Sequence, residues 1–327
     1  MRALTLATAS VLCFAWADAP HFAPADKSSV EKTIRTEVKF EATGFSMTVD
    51  GNEVPQEAVG DVTLTFEEVT KIVVTDRYVK SKGGRPLELD RTYDELAQTS
   101  LQTSKMPGMA DETSEDKIKE SDLESKTVRF TWNEKNESYD KKFAGDDGDD
   151  KLLKDLEEDL DFRGLLPSAD AKVGDTWAID GAKFINLLST GGKLHFHESG
   201  EPEEDRKNAE MGDQLDENTT GKGQVTFKEI REKDGLELAV ITFEADLKSH
   251  ARMEEQDMKI EAKITPEGEL LWDMKAKRIH ALDVTGKLDM ILKGDQEISM
   301  GGDQKHALHI EFSLEGTLTL ELTTKTP

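Results

Sequence analysis

Cysteine is nearly missing from this chain: the single one, Cys13, lies near the N-terminus. Everything after it is therefore without disulfides, thiolate metal sites or cysteine catalysis. Aromatic residues make up only 6%, too few for the two aromatic girdles of an outer-membrane barrel. No stretch beyond the N-terminus supplies the roughly 20 apolar residues that a membrane-spanning helix needs. Positive charge is also short, with 42 Lys and Arg against 68 Asp and Glu, for a net charge of -26. Such a surface repels nucleic acid and anionic lipid, so neither is an expected partner.

Catalytic signatures are absent as well. There is no Walker A sequence, no Gly-x-Gly-x-x-Gly and no His-Glu-x-x-His. Gly44-Phe45-Ser46-Met47-Thr48 lacks the last glycine of a nucleophile elbow. Carboxylates are so abundant that any pair of them imitates a glycosidase dyad, which removes the information from such a pair. No motif calls for a cofactor.

The N-terminus has the pattern of a secretory signal. Arg2 forms a minimal charged region, Ala3 to Phe14 a short apolar one, and Ala15-Trp16-Ala17 the small residues a signal peptidase reads. Cleavage after Ala17 would deliver a secreted or periplasmic protein. A lipid anchor on Cys13 is the alternative, although Leu12 stands where a lipobox wants a small residue.

The rest of the chain alternates. Leu308, Ile310, Phe312, Leu314, Leu318, Leu320 and Leu322 point one way, with polar residues between them and only Gly316 interrupting. This period of two marks a half-buried strand. Ile34 to Val49 reads likewise, with a phase shift at Gly44 that predicts a bulge, and Asp50-Gly51 then predicts a turn. Leu236 to Leu247 is apolar on both faces, as in a strand covered on both sides. The expected fold is mainly β (α+β): long curved antiparallel strands in two similar halves with a few short helices.

The expected division is a signal peptide 1–17, a flexible lead-in 18–30, an N-terminal β-rich half 31–148, a helical joint 149–190, and a C-terminal antiparallel meander 191–327. Within the joint, Asp146 to Asp150 should open a helix carrying Leu152, Leu153, Leu156 and Leu160 on one stripe, and Gly181 to Leu188 a second. Residues 98–121 and 199–220 read as long polar loops, and Pro266-Glu267-Gly268 as a turn. The acidic run 146–150 fails the EF-hand spacing. Asn136 and Asn218 sit in glycosylation sequons.

Leu165-Leu166-Pro167 followed by Val173-Gly174-Asp175-Thr176-Trp177 resembles a motif of uncharacterised secreted bacterial β-rich proteins, in which a leucine-proline pair precedes Val-Gly-Asp-x-Trp. The resemblance implies a secreted β-rich protein and no particular chemistry. Physically, Gly174-Asp175 allows a tight turn and Trp177 anchors it.

His195-Phe196-His197 is the metal candidate, since residues i and i+2 of a strand share a face and both imidazoles could reach one ion. The residues therefore leave three functions open. The chain is a non-enzymatic binding protein, with an apolar small molecule as the possible ligand. Alternatively it is a cell-envelope structural or interaction protein with an envelope protein as partner. The third reading is a metal-dependent enzyme built on His195 and His197.

Overall fold

Alternation of apolar and polar residues is carried into the backbone as strands of up to 22 residues. The computed structural model describes residues 19–105, 113–145, 148–188, 190–200, 215, 218–253, 257–299 and 305–326. Among them, one antiparallel sheet takes in fourteen strands. An N-terminal meander comprises β1 (Ser28–Val49), β3 (Thr63–Lys82), β4 (Arg85–Lys105), β6 (Thr127–Asn133) and β7 (Ser138–Phe143). A C-terminal meander comprises β10 (Thr220–Lys233), β11 (Leu236–Met253), β12 (Met258–Asp273), β13 (Arg278–Ser299) and β14 (Lys305–Lys325). The first and last long strands pair, β1 with β14, so the two meanders form one sheet. Short β8 (Thr176–Asp180) borders β10. Off the main path, β2 (Asn52–Glu53) pairs with β1, and β5 (Thr113–Ser121) joins β4 to β9 (Phe196–Glu198). Among the described residues the named α-helices are few: α1 (Gln56–Val59) and α2 (Gly181–Leu188).

Register explains the sequence pattern. The phase shift at Gly44 is a bulge, where the β1–β14 register slips between Ala42 and Gly44. Asp50 and Gly51 turn with φ of 51° and 77°, which suits a tight hairpin between right-twisted strands. Gly316 lies opposite Phe40, and a Cβ there would come within 2.1 Å of the Lys39 carbonyl. The missing side chain lets the Phe40 ring lie across the neighbouring backbone.

One face, termed inner, carries Val30, Ile34, Ile72, Val74, Leu282, Val284, Leu320 and Leu322, all buried. The outer face carries threonines and mixed charge, such as the Arg35–Glu37–Lys39 group. Along β11, Ala239 and Ile241 are buried on the inner side and Leu238 and Val240 on the outer, in keeping with its doubly apolar sequence.

Several expectations are corrected. The lead-in is not loose: Phe22 packs edge-on to Tyr78, with ring centroids 5.6 Å apart, and β1 begins at Ser28. The leucine stripe at 152–160 does not form an α-helix. Asp149 caps a 3-10 turn at Asp150–Leu153, and the backbone then extends through a bridge between Leu156 and Gly192 to a second 3-10 turn at Arg163–Leu165. Its carbonyls are captured from the sheet: Lys141 donates to those of Lys154 and Leu156, at 2.7 Å each. Residues 98–105 and 113–121, read as loop, are strands of β4 and β5. Pro266 does not turn the chain. It lies inside β12 opposite Gly286, where Thr265 and Pro266 have no partners on β11, so its lack of N–H costs no ladder bond.

The second expected helix is α2 with the predicted bounds. Gly174, at φ 96°, donates to the Phe227 carbonyl (2.7 Å) and starts edge strand β8, whose Trp177 lies opposite Val225. No helix among the described residues is long and apolar enough to cross a membrane. The signal segment, Cys13 and most of the 199–220 stretch lie outside the described residues.

Candidate functional site

Coverage divides the inner face into two ends. The proximal end, around the start of β1 and the end of β14, is overlaid by a strap, residues 148–165, and by α2. Leu153, Leu156, Leu160, Phe162 and Leu165 of the strap are buried in the same core as Tyr78, Leu89, Phe130, Trp272 and Ile279 of the sheet. Phe184 of α2 meets Phe243 edge-on at 5.5 Å. The distal end continues the same alternation. Val38, Phe40, Phe45, Met47, Met290, Leu292, Ile310, Phe312 and Leu318 occupy neighbouring inner positions on β1, β13 and β14 and are only half-buried, although Leu288, Leu314 and Ile260 of β12 among them are buried.

At its β3–β5 side the distal face turns polar, with Glu68, Gln98 and Ser100 at successive inner positions. Burial raises the Glu68 carboxyl above its ordinary range, against an opposing pull from Lys119. Three open depressions of about 490 to 580 Å³ are lined mainly by outer-face residues such as Glu244, Glu267, Lys287 and Glu315. None of these three is an enclosed cavity.

Beneath the strap lies a cluster of buried charge. Asp76 of β3 lies directly opposite Arg91 of β4 in register. Arg91 donates from Nε to Asp76 Oδ1 at 2.7 Å and from Nη2 to Oδ2 at 3.0 Å. Lys32 of β1 contacts Asp76 at 2.9 Å and Asp161 of the strap at 3.0 Å. Tyr78 donates to both Asp161 oxygens, at 2.8 and 3.0 Å. Arg91 also donates to the backbone carbonyls of Glu157 (2.9 Å) and Glu158 (2.7 Å). Sheet and strap are thereby held by charge-assisted bonds within an apolar core.

These groups perturb one another. Burial alone would raise the Asp76 carboxyl, but Arg91 and Lys32 overcome that and hold it at about 2. Burial, with Asp161 and Asp76 adding to it, pushes the Tyr78 hydroxyl well above its ordinary range. Glu158 behaves oppositely to Asp76. Burial lifts it to about 7, Asp159 and Asp161 push the same way, and Arg163 and Arg91 oppose. The cluster was visible in the sequence as charge in the apolar phase: Val30-Lys32-Ile34, Val74-Asp76-Tyr78 and Leu89-Arg91-Tyr93 each place a charged or polar residue at an inward position.

The two histidines lie elsewhere. His195 has φ 54° and precedes β9, so His195 and His197 are not successive same-face residues of one strand. His197 is buried, with Nε2 3.3 Å from Asp122 Oδ1 and Nδ1 3.1 Å from the Glu198 carbonyl oxygen. Burial depresses the His195 imidazole. Among the described residues no group of three His, Cys, Asp or Glu is placed to hold a metal ion. No family model matches the chain, and no curated protein matches it.

Proposed function

We propose that this chain is a secreted or periplasmic, non-enzymatic binding protein that takes an apolar ligand of the acyl-chain type on the distal inner face of its sheet. One observation carries the reading: the apolar row from Val38 to Met47 on β1, with its neighbours on β13 and β14 other than the buried Leu288 and Leu314, is left half-buried where the strap stops. Each such side chain gains about 1.5–3 kcal/mol only when fully buried, so a ligand laid along the row recovers what the fold leaves unburied. Met47, Met258 and Met290 on this face suit guests of variable shape. The N-terminal and C-terminal meanders then act as like halves of one wall. Export follows from the signal pattern at 1–17.

The test is native mass spectrometry of protein purified without detergent, followed by organic extraction. The proposal expects an adduct of lipid mass that extraction removes. A clean mass, together with no uptake of an acyl-chain probe, would overturn it and leave an envelope interaction protein as the reading.

A further inference from the structure

The strap carries a buried carboxyl group that is bonded through only one of its two oxygens. Glu158 is 5% exposed, and its Oε1 has no hydrogen-bond partner among the described residues. Its other oxygen contacts Arg163 Nη2. Arg163 in turn lies 3.1 Å from Asp159 Oδ1 and over the Phe22 ring, 5.0 Å from its centroid. The groups facing Glu158 come from every element around it. From the sheet, Arg91 of β4 and Tyr139 of β7 interact with it, and Lys32 of β1, Asp76 and Tyr78 of β3 and Tyr93 of β4 complete the cluster around Arg91 and Asp161. From the strap come Asp159, Asp161 and Arg163. Tyr139 stands beside Glu158 and Arg163 but donates to the Pro86 carbonyl at 2.8 Å.

The charges can be counted. Three cations, Lys32, Arg91 and Arg163, face three carboxylates, Asp76, Asp159 and Asp161. Glu158, which contacts Arg163, is a fourth carboxyl, so with every group ionised the cluster holds one negative charge in excess. An ionised Glu158 is a fourth negative charge in a region largely closed to water, with one oxygen unbonded. A neutral Glu158 removes the excess.

We propose that Glu158 is a pH-sensitive catch: protonated, it lets the strap lie closed on the proximal sheet, and ionised, it loosens the strap. The raised carboxyl, at about 7 by burial, places the change near neutral pH. The sign follows from linkage. The closed form binds the proton more tightly than the open one. The closed strap is therefore fully favoured below the ordinary glutamate range and loses that advantage as pH rises through about 7. Opening would bare Tyr78, Leu89 and Phe130 of the proximal core.

Hydrogen exchange of the strap amides, Leu156 to Leu165, corrected for the intrinsic pH dependence of exchange, tests this on the full chain. Between about pH 5.5 and 8.5 the opening equilibrium of the wild type should rise on the order of thirtyfold. Glu158→Gln should abolish that rise. Asp159→Asn, which removes a neighbouring negative charge, should move the midpoint to lower pH. A wild-type strap whose corrected protection stays constant, or a Glu158→Gln strap that keeps the wild-type rise, would overturn the proposal. Where Glu158→Gln fails to fold, the side-chain carboxyl of wild-type Glu158 is followed by carbon NMR. A midpoint near neutral is expected, and one in the ordinary carboxylate range would overturn the catch.

Discussion

The two ends of the sheet are built from the same strands and the same alternation, yet only one is a core. At the proximal end Ile34, Ile72, Leu282 and Leu322 are fully or almost fully buried. A few residues further along the same strands, Phe40, Phe45, Leu292 and Phe312 are half-exposed. The difference lies in what covers the face. The strap and α2 lie over the proximal end, and the strap is held there by Arg91, Lys32, Tyr78 and Lys141. A strand's inward residues therefore state only that they seek cover, and distant segments decide which of them find it.

The comparison breaks most visibly under side-chain truncation. Phe130→Ala at the proximal end removes a fully buried ring and should cost about 3–5 kcal/mol. Phe312→Ala at the distal end should cost roughly 1 kcal/mol, since its ring is already partly in water and the site can close around the gap. Urea denaturation of both variants checks this; equal losses would mean that the distal end is as closed as the proximal one.

The next effect is in pH and belongs to the proximal end alone. Asp76, held at about 2, stabilises the fold above the ordinary aspartate range, and that contribution is lost as pH falls through about 2. Glu158, raised to about 7, favours the fold below the ordinary glutamate range, and that contribution is lost as pH rises through about 7. Together they predict greatest stability between about pH 4 and 6, with a loss of at most about 3 kcal/mol toward pH 8.5. Thermal unfolding across this range should show the maximum on the acid side of neutral, and Glu158→Gln should flatten the alkaline limb.

Glycines sharpen the contrast on a smaller scale. Gly316→Ala would drive a Cβ into the Lys39 carbonyl and the Phe40 ring and should destabilise by about 1–3 kcal/mol. Gly294→Ala meets nothing within 4 Å and should stay within about 0.5 kcal/mol of wild type. The same denaturation assay separates them.

Much of the sheet could be read from the chain, because period-two patterning is a local property. Strands β1 and β10 to β14, the bulge at Gly44 and the bounds of α2 follow from it. The strap was misread because Leu152, Leu153, Leu156 and Leu160 have helical spacing, and the donors that draw out its carbonyls lie on other strands, at Arg91 and Lys141. The end of β4 and all of β5 were taken for loop because Ser, Thr, Gln and Lys dominate them; pairing, not apolarity, makes them strands. His195 and His197 suggested a shared face only on the assumption of a strand, which the φ of 54° at His195 removes. The apolar phase of the distal face was legible, but not what covers the sheet: Leu152, Leu156 and Leu160, expected on a helix, lie instead in the strap on the proximal end.

The central claim is that the distal face takes an apolar guest while the proximal end stays shut. Methionines report on both ends: Met47, Met258 and Met290 are half-buried on the distal face, and Met274 packs against the proximal core. Methyl NMR of methionine-labelled protein, titrated with a saturated fatty acid at about pH 6, reads them separately. The three distal methyl groups should shift with one common binding curve while Met274 holds still. Distal methyls that do not move, or Met274 moving with them, would contradict the account.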